Sequence, residues 1–297
     1  MKTRLLGIAL AGLALACALP AFAQPARVDV VWARQAPGAV IKLDGVLDEP
    51  AWGLADSRVV RYGVDNGMPG SGYQEEAGKL AKDSTYAVFK FLVVGNQLYM
   101  GVTVRDSSVG GGPDFNRFDG LLMAIKNHST GQHPAGPAEY FYSWWYADTC
   151  DHNPSAADKQ PDFLGDFGNR SPQCSLRDSA MIAAWDARTR VQGHSNFDSG
   201  APDTGYVMEM RFDLGVIGYN VTKPDGDVIE FNVSIYDTDW YWPINLQRFS
   251  SNRAWWQSPW GRDMWYHEVE LHSKPNATIT SGPTEPIPPD LDVKNGA

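Results

Sequence analysis

Residues 84–106 read STYAVFKFLVVGNQLYMGVTVRD. Two runs, Ser84 to Val93 and Gln97 to Asp106, flank the pair Gly95-Asn96. Side chains that alternate with a period of two place one set on a buried face, and glycine beside asparagine supplies the left-handed backbone of a tight turn. The stretch reads as a β-hairpin. Working outward, β-branched and aromatic runs recur at Val28 to Ala33, Ala39 to Leu43, Gly120 to Lys126, Glu139 to Tyr146 and Ala180 to Asp186. They continue at Arg188 to Gln192, Gly205 to Phe212, Val228 to Tyr236 and Met264 to Leu271. Helical signals are confined to one turn at Glu49 to Ala55 and a 3₁₀-like turn at Leu214 to Gly218. Strands of this length and spacing predict an all-β domain, a two-sheet antiparallel β-sandwich of jelly-roll-like form.

The ends of the chain read differently. Lys2 and Arg4 precede an uncharged apolar run from Leu5 to Leu19, and Ala21-Phe22-Ala23 gives a small-x-small cleavage pattern. This predicts a signal peptide over residues 1–23, cleaved after Ala23, and hence a secreted or periplasmic protein with no membrane span. The sandwich is expected over 24–272. The segment 273–297 carries Pro275, Pro283, Pro286, Pro288 and Pro289 and no aromatic residue, which predicts a disordered tail. Outside the signal, Cys150 and Cys174 form an even pair in an exported chain, so a disulfide closing the proline- and aspartate-rich loop between them is expected. The net charge of -10 argues against a nucleic-acid partner, because phosphate neutralisation needs a basic surface.

Five segments in order carry a family resemblance. Ile41-Lys42-Leu43-Asp44-Gly45-Val46-Leu47-Asp48-Glu49-Pro50-Ala51-Trp52 resembles the opening signature of the family 9 carbohydrate-binding modules, within the DOMON-like sandwich superfamily. Gln97 to Asp106, Gly205 to Phe212, Glu230 to Asp239 and Trp255 to Gly261 resemble the family's later strand and closing signatures. The resemblance implies a β-sandwich that grips a polysaccharide or glycan between tryptophan side chains, without catalysis. Such a protein is expected to assist carbohydrate breakdown, alone or beside a partner glycoside hydrolase. The sequence departs from the family pattern at Asn116 and Leu122, where a tryptophan and a glutamate are usual, while Asp119 keeps its aspartate. Phe115 or Phe118 is a candidate replacement for the missing aromatic half of the clamp.

Trp240, Trp242, Trp255, Trp256, Trp260 and Trp265 fall within 26 residues. Sugar C–H faces pack on aromatic rings while carboxylates and amides bond the hydroxyls. Trp240, Trp242, Trp255 and Trp256 are therefore expected to supply an exposed platform, extended by Trp145, with Asp237, Asp239 and Asp119 as hydroxyl partners. Asp237-x-Asp239 reads equally as part of a calcium site or as a turn capping its own backbone. No zinc motif is present among the six histidines. Met100, Met208 and Met210 leave a haem b-binding electron-transfer protein as an alternative, although methionine on a strand is usually core filling. A glycoside hydrolase is a further alternative, needing two facing carboxylates that no motif selects.

Overall fold

The computed structural model describes residues 30–64, 71–77, 83–110, 119–129, 138–144, 183–193, 202–224, 226–239, 250–256 and 269–274. These form twelve strands: β1 (Val30–Gln35), β2 (Asp56–Arg61), β3 (Gly72–Ala77), β4 (Tyr86–Val94), β5 (Gln97–Arg105), β6 (Gly120–Lys126), β7 (Ala138–Trp144), β8 (Trp185–Gln192), β9 (Gly205–Asp213), β10 (Asp227–Asp239), β11 (Ser250–Trp255) and β12 (Val269–Lys274). A 3₁₀ turn at Pro50–Gly53 is the one helical element with its own span among them. No helix among the described residues is long and apolar enough to cross a membrane.

The hydrogen-bonded network folds into two layers. One holds β7, β6, β10, β11 and β3, and the other holds β2, β4, β5, β9 and β8. The thirteen-residue β10 pairs with β6 on one edge and with β12 and then β11 along the other. β1 joins the layers, bonding β12 through Val30–Arg34 and β4 through Arg34 and Gln35. Both β1 pairings are parallel, which corrects the purely antiparallel expectation. The reason is that β1 runs between the layers' ends and is not closed onto either neighbour by a hairpin.

The core sits between the layers and follows the two-residue period. Ala87, Phe89, Phe91 and Val93 of β4 face it, as do Leu98, Met100, Val102 and Val104 of β5. Met208, Met210 and Phe212 of β9, Leu121, Met123 and Ile125 of β6, and Phe231, Val233 and Ile235 of β10 complete it. Phe91 meets Phe231 across the layers edge-to-face at 5.8 Å between centroids. The hairpin at Gly95-Asn96 forms in the expected register, Val94 opposite Gln97.

Other expectations shift. Ala39 to Leu43 is not a strand, because its backbone is held by side chains instead of a ladder; the Lys42 N–H donates to Glu49 Oε1 at 2.8 Å. Asp186 and Arg188 lie on one continuous strand, β8. β2, β3 and β11 lack the alternation that would mark them in sequence. β12 runs to Lys274, two residues past the expected domain boundary. The expected signal peptide, the tail beyond Lys274, and Cys150 and Cys174 lie outside the described residues.

Candidate functional site

The opening signature is a structural knot. Glu209 on β9 is fully buried, and its Oε2 accepts from the backbone N–H groups of Asp44 and Gly45 at 2.9 Å and Val46 at 3.3 Å. Its Oε1 accepts from Trp52 Nε1 at 3.2 Å. Gly45 has a φ of 76°, and a Cβ there would stand 2.7 Å from the Arg190 backbone nitrogen, so only glycine brings the signature onto β8. Trp52, packed with Ala36 and Leu92, is core. Burial raises the Glu209 carboxyl above its usual range despite these donors.

At the opposite pole of the chemistry, the inward faces of the strands end in acids. On β10 the series Ile229, Phe231, Val233, Ile235 continues into Asp237 and Asp239. On β5 the series Leu98, Met100, Val102, Val104 continues into Asp106. Asp119 has the same relation to Leu121 on β6, and Asp83 to Ala87 on β4. One carboxylate oxygen from each of Asp83, Asp106 and Asp239 lies within 4.8 Å of the others. Asp106, Asp119, Asp237 and Asp239 are all at most 4% exposed.

Some of their oxygens are spoken for. Asp119 accepts from the N–H of Thr238 at 2.7 Å and of Gly110 at 2.6 Å. Asp106 Oδ1 accepts from Ser108 N–H at 2.7 Å, and Asp83 Oδ2 from Ser107 N–H. Asp203 Oδ2 accepts from Val109 N–H at 2.8 Å. Others have no hydrogen-bond partner among the described residues: Asp83 Oδ1, Asp106 Oδ2, both oxygens of Asp237, and the hydroxyl of Tyr206, which is 1% exposed. Burial first, then repulsion from neighbouring acids, holds the Asp106, Asp119 and Asp237 carboxyls well above the usual range. Burial and the nearby Asp119, Asp106 and Asp237 raise Tyr206 in the same way. The arrangement is a desolvated set of oxygen donors with excess negative charge.

The residues expected to form a sugar platform separate into groups. Trp256 is fully buried beside Phe89, Phe91 and Phe231, with centroids 6.0 to 6.4 Å away, so it is core and not platform. Trp255 is 9% exposed and its ring lies against Gly72, where a Cβ would stand 2.6 Å from it. It covers a strand glycine beneath the Arg253 guanidinium and leaves little ring for a ligand. Asp237 and Asp239 point into the acidic end and not to solvent, which corrects their expected role as hydroxyl partners. Asp119 pins two backbone segments. Met100, Met208 and Met210, weighed as haem ligands, are all fully buried core. Of the clustered acids, Asp106, Asp119, Asp237 and Asp239 are likewise buried and Asp83 is partly so. Phe115, Phe118, Trp145, Trp240, Trp242, Trp260 and Trp265 lie outside the described residues.

Gly120 pairs with Trp144 on one side and with Tyr236 on the other. Beside this point Asp119 ties β6 to β10 by accepting from the Thr238 N–H. Sequence reasoning missed Asp83, Asp203 and Tyr206. Parity along the strands, extended past each apolar run, would have found Asp83. It also missed Tyr73, the exposed aromatic of β3 at 42% exposure, which pairs with Tyr62 at 4.8 Å.

No protein-family model matches the chain, and no curated protein matches it. Solved structures bear a likeness. One is a family 9 carbohydrate-binding module from Caldicellulosiruptor kristjanssonii in complex with cellotriose, 13% identical, covering 86% of this chain and 100% of that one, with a TM-score of 0.47. Another is a family 9 module from the same organism in complex with glucose, 13% identical, covering 85% and 98%, with a TM-score of 0.47. Identity and TM-score at this level transfer no ligand and no site residue. The chain is an all-β sandwich similar to family 9 carbohydrate-binding modules.

Proposed function

We propose that this chain is an exported, non-catalytic carbohydrate-binding protein that assists polysaccharide breakdown beside a glycoside hydrolase. The observation that carries the reading is the all-β sandwich in which β6 pairs with both β7 and β10. In the sequence, Phe118 precedes β6, Trp145 follows β7, and Trp240 and Trp242 follow β10. Aromatic rings on a rigid sandwich suit the C–H faces of a sugar chain. Tyr73 offers a further exposed ring on the same layer. Leu122, in place of the family's glutamate, is buried opposite Ser234 and gives a sugar hydroxyl no charged partner. Affinity then depends on stacking over several sugar units.

Calorimetry of the chain from Gln24 onward against an oligosaccharide length series tests this. Affinity should rise with length, and Trp242→Ala should weaken binding about tenfold to a hundredfold, the range of a central aromatic anchor, with the fold intact. Absence of binding across a broad glycan array would refute the carbohydrate reading.

A further inference from the structure

The outer face of the layer built from β2, β4, β5, β9 and β8 is divided in two. Toward the β4–β5 turn it lies under the opening signature. There a Cβ on Gly101 would stand 2.7 Å from Leu47, and Lys90 Nζ donates to the Trp52 carbonyl at 3.3 Å. Toward the other end the outward positions are of a different kind. Tyr86, Val88, Thr103 and Arg105 alternate with the core residues Ala87, Phe89, Val102 and Val104, so they face away from the core. Arg61 stands opposite Tyr86 on β2, Arg105 stands opposite it on β5, and the Arg105 guanidinium lies 4.4 Å over the Tyr86 ring. Thr103 leads through Val207 of β9 to Arg190 of β8. Neighbouring strands are about 4.8 Å apart, so Arg61 and Arg105 flank Tyr86 at a backbone separation of about 10 Å.

Arg61, Arg105 and Arg190 are exposed, and none has an ion-pair partner among the described residues. Asp44 lies near Arg190, but its carboxylate is engaged by Lys42 Nζ at 2.7 Å. The other cations of the face are held by the chain itself. Arg188 Nη1 meets Asp186 Oδ1 at 2.9 Å, and Arg211 Nη1 donates to Gln97 Oε1 at 2.7 Å. In a chain of net charge -10, three unengaged guanidiniums on one half-face are an exception, and their complement is an anion.

We propose that this half-face binds a carboxylate-bearing polysaccharide, as a second glycan surface on the layer that does not contain β6, β7 and β10. The planar fork of each guanidinium matches a carboxylate through two parallel hydrogen bonds. Tyr86 holds the Arg105 fork in place, so less side-chain freedom is lost on binding. Val88 and Thr103 present methyl groups between the charges, on which sugar C–H faces can rest. An anionic membrane is a poorer match, because the exposed large apolar residues Val40, Leu54, Tyr73 and Val216 all lie off these five strands. Three cations also neutralise too few phosphates to hold a nucleic acid against an acidic remainder. The choice of a glycan among anions rests on the carbohydrate-binding reading above, whereas the charge preference rests on the arginines alone.

The test uses the chain from Gln24 onward with polygalacturonate as the probe and its methyl ester as the uncharged twin. Calorimetry at low ionic strength should show binding to polygalacturonate and none to the ester, and salt at about 0.5 M should remove it by screening. Arg105→Gln and Arg190→Gln should each weaken binding about tenfold, the level of one charge-assisted hydrogen bond. Both variants should keep the parent melting temperature and the parent affinity for neutral oligosaccharides. If Arg105→Gln fails to fold, Arg61→Gln and Arg190→Gln carry the same expectation. Loss of polygalacturonate binding in Trp242→Ala with full binding in the arginine variants would place the acidic glycan elsewhere and overturn the proposal. So would equal affinity for the ester, equal affinity for inorganic polyphosphate, or no binding to either polygalacturonate or alginate. Arginine-dependent binding of polygalacturonate in a chain that binds no neutral glycan would sustain this surface while sinking the aromatic one.

Discussion

Replacing Glu209 by alanine isolates the knot that binds the opening signature to β9. The substitution leaves three backbone N–H groups, at Asp44, Gly45 and Val46, and the Trp52 indole without their shared acceptor. A buried donor left unpaired costs about 1–3 kcal/mol, and four of them would give an upper bound near 10 kcal/mol. Two effects reduce this. Asp44 lies on a half-buried loop that water can reach, and Trp52 Nε1 also donates to Glu49 Oε2 at 3.1 Å. In addition, burial outweighs the donors in setting the Glu209 carboxyl, so its ionised form is itself mildly disfavoured. The expected cost is therefore about 3–5 kcal/mol, the range for breaking a buried charged interaction. Glu209→Gln keeps one acceptor oxygen and turns an N–H toward either the loop or the indole, so it should cost about 1–2 kcal/mol. Urea denaturation followed by tryptophan fluorescence would measure both. A shift of under about 0.5 kcal/mol for Glu209→Ala, the level of an ordinary surface change, would refute the view that the signature is a structural lock.

Other perturbations separate core from ligand site. Trp256→Ala should cost about 3–5 kcal/mol of stability as a large core truncation, whereas Trp242→Ala should leave the urea midpoint unchanged; equal effects would place both in the same environment. Stability should fall as pH rises above about 4. The unfolded aspartates ionise in their ordinary range while Asp106, Asp119 and Asp237 hold their protons to higher pH, so the folded state binds more protons in that window. A urea midpoint that is flat or rises from pH 4 to pH 8 would contradict the buried repulsion. Cys150 and Cys174 should resist alkylation until reduced, and mass spectrometry before and after reductant would show it.

The sandwich was legible because its inner strands obey a strict alternation. The β4–β5 hairpin, β6 and β9 lie within a residue or two of where their apolar runs place them. β11 was not legible, since Ser250 to Trp255 is buried on both faces and so carries no period. β1 gave its position but not its parallel pairing, which depends on partners far away in the chain. The site was harder. A tryptophan has the same letter whether it stacks on sugar or on Phe89, and only the layer opposite Trp256 decides. Asp237 and Asp239 stood out by spacing, but their direction depends on the parity of β10 counted from Ile229. The partners that complete the cluster come from loops before β4 and after β5, which no local motif connects.

The parallel pairing of β1 with β12 also bears on how the chain reaches its folded state. The first of the described strands finds its main neighbour in the last of them, so a partial chain emerging N-terminus first satisfies β1 only through its short pairing with β4. Until Val269–Lys274 arrives, β1 offers an open edge, and edges of that kind recruit other chains. Such distant closure also slows folding, because loop entropy is lost before the contact is gained.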